Sequence, residues 1–187
     1  MGAGLSERAE SLKGRGIRLY GEGQYEASAA CFEEARALFA AVGDIRGQGE
    51  TLNNLGVISL QAECWEEARE RFEEAGRLFE SLADIGGRAQ TLGNLGELAR
   101  RLGRREEAVE YLKEAADLLR EVDEGEEERA KTLELISRVR LEEGRWLEAL
   151  YFYDLRLGCF SHPGLKERLL HWLVKIPLSL LTRGGAG

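Results

Sequence analysis

Residues 51–90 of this chain recur forty positions later, and that period constrains the fold more than any other feature. Thr51, Leu52, Asn54, Leu55, Gly56, Glu66, Glu67, Ala68, Glu70, Glu74, Ala75 and Leu78 are all kept in the copy that spans 91–130. A different set recurs upstream: Leu12, Gly16, Phe32, Ala35, Leu38, Phe39, Asp44 and Ile45 match the unit when it is moved back by forty. A fourth copy, slipped by one residue in the DEGEEER segment, keeps Leu133, Ile136, Gly144 and Ala149. A fixed period in this range is the mark of stacked supersecondary units, each burying its apolar face against its neighbours.

Each unit reads as two helices. Only two of the 187 residues are proline and 32% are charged, which suits helix throughout. Phe32, Ala35, Leu38 and Phe39 fall on one face of a helix expected over 25–42, after a first helix over 6–21. The same pairing predicts helices over 46–61 and 65–82, 87–102 and 105–122, and 127–142 and 146–159. Twenty-three glycines then need a reason, because each costs about 1 kcal/mol inside a helix relative to alanine. Gly23, Gly103 and Gly144 stand where helices of a pair must turn, and Asp44 and Asp84 stand where N-caps are wanted.

The spacing Leu52, Leu55, Gly56, Ala68, Phe72 and Ala75 resembles the tetratricopeptide repeat (TPR), over about residues 9–160. The resemblance implies an all-α, right-handed solenoid of about four antiparallel helix hairpins, at 9–48, 49–88, 89–129 and 130–160. Short flexible ends at 1–5 and 183–187 and a C-terminal capping helix at 161–182 complete this expectation. Gly56 and Ala68 are expected to be small where the helices of one hairpin cross, with Phe72 and Ala75 receiving the next hairpin. Leu52, Ser59 and Glu80 replace the repeat's tryptophan, tyrosine and proline.

Units of forty residues are similar to those of kinesin light chains, Pins-type polarity adaptors and bacterial peptide-responsive regulators. The likeness implies a concave groove, lined by the first helix of each pair, that holds an extended peptide while asparagines grip its backbone. By register those asparagines are Asn54 and Asn94, since an amide both donates and accepts. The remaining groove positions are Lys13, Ile17, Tyr20, Asn53, Val57 and Leu60 on the first two repeats, and Gln90, Glu97, Arg100, Arg101, Lys131, Glu134 and Arg138 on the last two. An apolar strip followed by a basic one implies a protein or peptide partner that is apolar at one end and acidic at the other. The carboxylate clamp that some TPR proteins close on chaperone tails is not matched: Lys13 and Asn54 fit it, whereas Ile17, Gln90 and Asn94 do not.

Other functions find little footing. The net charge of −8 disfavours nucleic acid. Cys31, Cys64 and Cys159 form no CxxC pair, His162 and His171 have no ligands at metal spacing, and no catalytic signature occurs, so no metal, no cofactor and no enzyme is expected. A cytoplasmic protein is the corresponding expectation. The apolar segment with Leu169, Trp172, Leu173, Ile176 and Leu181 is expected to cap the last hairpin. Its competing uses are a contact with a second copy of the chain, or membrane attachment in a peripheral or self-assembling structural protein, the less expected reading.

Overall fold

The structure, a computed structural model, describes residues 2–122 and 125–159. All regular structure in them is helical. α1 runs Gly2–Gly21, α2 Tyr25–Val42, α3 Ile45–Gln61, α4 Trp65–Ser81, α5 Ile85–Arg101, α6 Arg105–Leu118, α7 Glu126–Glu142 and α8 Trp146–Leu157. α1 begins one turn before the expected Ser6, because Ala3 and Leu5 favour helix and no proline interrupts them. The flexible start expected at 1–5 is therefore helical from Gly2. α6 ends short of the expected Val122. The expected capping helix at 161–182 and tail at 183–187 lie outside the described residues.

One turn closes every helix pair. At Gly23, Gly43, Glu63, Ala83, Gly103 and Gly144 the backbone is left-handed, with φ between 51° and 76°. Each of these residues donates its N–H three residues back, and the next residue donates five residues back, as Gly23 does to Tyr20 and Gln24 to Leu19. This double bond satisfies the orphan carbonyls of a helix end and reverses the chain within three residues. Two of the six positions are not glycine: Glu63 at φ 59° and Ala83 at φ 51°. After the inter-pair turns, Asp44 and Asp84 cap α3 and α5, each accepting from the N–H three residues on, at 2.9 and 3.0 Å.

Phenylalanines and glycines then set the packing. An ideal Cβ on Gly56 would lie 2.5 Å from the Phe72 ring, and one on Gly16 would lie 2.8 Å from Phe32. Phe72 thus sits on the glycine of its own hairpin, where the expectation had it receive the next one. That second task falls to the phenylalanine seven residues on: Phe39 lies on Gly47 and Phe79 on Gly87, with 2.4 and 2.3 Å to an added Cβ. Where the small residue at a crossing carries a hydroxyl, it bonds across. Ser28 donates to the Gly16 carbonyl at 2.7 Å, and Ser137, which replaces the repeat's glycine, donates to Ala149 at 2.8 Å.

The chain divides into two compact units, residues 1–111 and 112–187, with the division inside α6. In the first unit α2 and α4 pack on the helices before and after them, while α3 touches both α1 and α5. α1, α3 and α5 therefore form one layer. In the second unit α7 packs against α8, and Arg156, which replaces a small alanine of the repeat, crosses back to Glu134 at 3.0 Å. Trp65 packs on the cluster of Leu60, Phe72, Leu95 and Leu98, as expected of it. Trp146, expected to pack likewise, is 58% exposed at the start of α8.

Candidate functional site

The face shared by α1, α3 and α5 carries the expected site residues of the first unit. Near its α1 edge a cleft of about 70 Å3 is lined by Ile17, Tyr20, Phe32, Asn54 and Val57. Ile17 is 53% exposed at its mouth, although it is a large aliphatic side chain. Asn54 is half-buried, and its amide is unpaired among the described residues. A half-buried amide beside an apolar cleft can accept a ligand N–H and donate to a ligand carbonyl at once.

Three polar links tie the helices of this layer together. Lys13 reaches from α1 to Glu50 on α3, and also holds Glu10 at 3.1 Å. Asn94 on α5 donates to the Asn53 Oδ1 at 2.9 Å. Gln61 donates to the Tyr20 hydroxyl at 3.2 Å and accepts from Arg101 at 3.1 Å. Glu50 and Gln61 are functional partners that register alone did not single out. The signal for Gln61 was its place one turn past Val57, at the same end of α3 as Tyr20 on α1.

Charge on this face is more balanced than the arginine count suggested. Glu97 holds Arg100 at 2.8 Å and Arg101 at 3.1 Å. Burial alone would raise its carboxyl, but the hydrogen bonds and charges of the two arginines outweigh burial and hold it below the usual range. Burial would likewise lower Lys13, yet its bonds to Glu50 and Glu10 raise it above the ordinary lysine value. Near α5 the group Glu97, Arg100 and Arg101 keeps one net positive charge, whereas Lys13 with Glu10 and Glu50 keeps one negative. In the second unit Lys131 pairs with Glu127, at 2.8 Å, and with Glu128, and Arg138 pairs with Glu134 at 3.7 Å.

Two expected groove residues are core instead. Leu60 is buried in the cluster of Ala68, Phe72, Leu95 and Leu98, because the face it occupies turns toward α4 and α5. Asn53 is 2% exposed, since the amide of Asn94 closes over it. Gln90 is exposed at the start of the same face. Among the described residues no group of three or more His, Cys, Asp or Glu could hold a metal ion, and no helix is long and apolar enough to cross a membrane.

The sequence model of the tetratricopeptide repeat matches residues 47–121 and again 87–157, more than half of the chain. The chain belongs to the tetratricopeptide repeat family. Solved structures with the TPR arrangement found here include BtubC (BKLC) from P. vanneervenii, with a TM-score of 0.71 at 20% identity over 83% of this chain and 66% of that one. Aspartyl phosphate phosphatase F from Bacillus subtilis superposes with a TM-score of 0.77 at 17% identity, over 82% of this chain and 40% of that one. The Rap conjugation gene regulator of the plasmid pLS20, solved in complex with the Phr peptide, gives 0.73 at 19% identity over 96% of this chain and 53% of that one. At these identities the likeness is one of fold, and this TPR chain spans 40 to 66% of the three proteins' lengths. No curated protein sequence matches it.

Proposed function

We propose that this chain is a TPR interaction module, an adaptor or regulatory scaffold, that holds an extended peptide segment of a partner protein across the layer of α1, α3 and α5. The observation that carries the proposal is the cleft of Ile17, Tyr20, Phe32, Asn54 and Val57, where an apolar hole stands beside an unpaired amide. Such a pair suits a peptide: the hole takes an aliphatic side chain while the amide bonds the adjoining main chain. Arg100 and Arg101, which outnumber Glu97, favour a carboxylate farther along the same ligand, so the peptide runs from an apolar residue at α1–α3 to an acidic one at α5. The Rap regulator that shares this fold was solved with a peptide bound, which supports the ligand class. Free cysteines, with Cys64 exposed, suit the reducing interior of a cell.

A random-sequence peptide display library selected on the full chain tests this. Titration calorimetry of the enriched peptide is expected to show affinity at least about tenfold weaker for Asn54→Ala and for Ile17→Asp, and unchanged affinity for Glu74→Ala on α4. Equal affinity for all four proteins would move the ligand off this face. Asn94→Ala is the poorer probe, because it strands the buried Asn53 carbonyl.

A further inference from the structure

Most glycines inside the helices of this chain are explained by a ring that covers them. Gly16, Gly47, Gly56 and Gly87 each leave under 3.0 Å between an added Cβ and a phenylalanine, and Gly49 leaves 3.0 Å. Gly93 is different. It lies in the middle of α5, partly exposed, and an added Cβ would meet nothing within 4 Å. Gly14, in α1, would meet only the far end of Arg18 at 3.9 Å. Neither turns the chain and neither makes room for a neighbour, so the helix carries the conformational cost of glycine there with no return in packing.

Both bare positions stand at one level of the layer. Forty-residue register places Gly14 opposite Asn54 and Gly93 opposite Asn53, so the level reads Lys13 and Gly14 on α1, Asn53 and Asn54 on α3, Gly93 and Asn94 on α5. A second observation points to a ligand at the same place. The amide of Asn53, buried to 2% exposure, turns toward α5, where Asn94 bonds its oxygen one residue from Gly93, and its Nδ2 has no hydrogen-bond partner. An amide donor left unsatisfied at such depth is costly unless something completes it.

We infer that Gly93, with Gly14 as its counterpart on α1, forms a bare backbone shelf at the asparagine level that lets the main chain of a bound peptide lie against the helix, close enough to be read by Asn54, Asn94 and, once the pair rearranges, Asn53. The inference rests on the peptide reading above and names how that ligand is seated: by its backbone, at closest approach over Gly93, with little demand on the side chain there. The absent Cβ is the specificity element. A methyl group at 93 lifts the ligand off the asparagines while it improves the helix.

The test separates these two effects. Gly93→Ala in the full chain is expected to raise the thermal midpoint and to weaken the peptide enriched on wild type by at least about tenfold, and Gly93→Met more. Gly76→Ala, in the middle of α4 where an added Cβ would meet only Thr91 at an ordinary 3.5 Å, is expected to raise the midpoint and leave affinity unchanged. If Gly93→Ala binds as wild type while Asn54→Ala loses the peptide, the shelf is wrong and the groove stands. If the library yields no binder to wild type, the peptide reading fails and the shelf with it.

Discussion

Ala83 and Glu63 hold a backbone conformation that four glycines hold elsewhere in the same turn. A left-handed φ presses Cβ against the following carbonyl, so a non-glycine residue there is strained. Ala83→Gly is expected to stabilise the chain by about 0.5–1 kcal/mol, read as a higher urea midpoint, even though glycine loses more freedom on folding. An unchanged or lower midpoint would show that the turn tolerates alanine without strain. The Glu97 carboxylate offers a second test at this scale. Its value is depressed in the folded chain, so its contribution to stability is present above the unfolded carboxyl value, about 4.3, and is lost as pH falls through the lower folded value. Glu97→Gln is therefore expected to flatten the acid-side decline in stability below about pH 4.3, with little change in slope near neutrality. Lys13 has the opposite sign: raised in the fold, it supports stability below about pH 10.4, and that support is lost as pH rises through its folded value.

Helices and their turns were legible because each rests on local chemistry. Asp44 and Asp84 announce N-caps, and Gly23, Gly103 and Gly144 announce reversals, all within a few residues of the groups they serve. Partners across elements were not. Leu60 and Val57 stand three apart on α3, yet one turns into the core and the other lines the cleft, a difference set by α4 and α5. The apolar period gave no warning that Asn94 would spend one amide hydrogen on Asn53, nor that Glu97 would hold two arginines. Ring-on-glycine crossings are the element-scale device that joins helices in pairs. Gly56→Ala drives a methyl into the Phe72 ring and is expected to cost about 1–3 kcal/mol, with part recovered in Gly56→Ala/Phe72→Leu, since leucine stands at the equivalent Leu112 of the third copy. Additive losses in that double-variant cycle would separate the two positions.

Across the whole molecule a forty-residue period has been used twice over, once for the core and once for a face. Phenylalanines seven apart repeat inward in the first two units, while the outward positions at one level differ: Gly14, Asn54 and Asn94. Repetition of packing with variation of face is what lets a solenoid of small units present a single extended surface. The acidic excess falls on the second helices, where Glu66, Glu67, Glu70, Glu73 and Glu74 are exposed on α4. The layer of α1, α3 and α5 instead balances its charges in short links and keeps an open cleft. Hydrogen–deuterium exchange of the full chain, with and without the peptide enriched from the display library, tests the central claim most directly. Protection is expected in residues 13–20, 53–61 and 90–101, on all three helices of the layer. Protection confined to α2 and α4, or to residues 160–187, would contradict it.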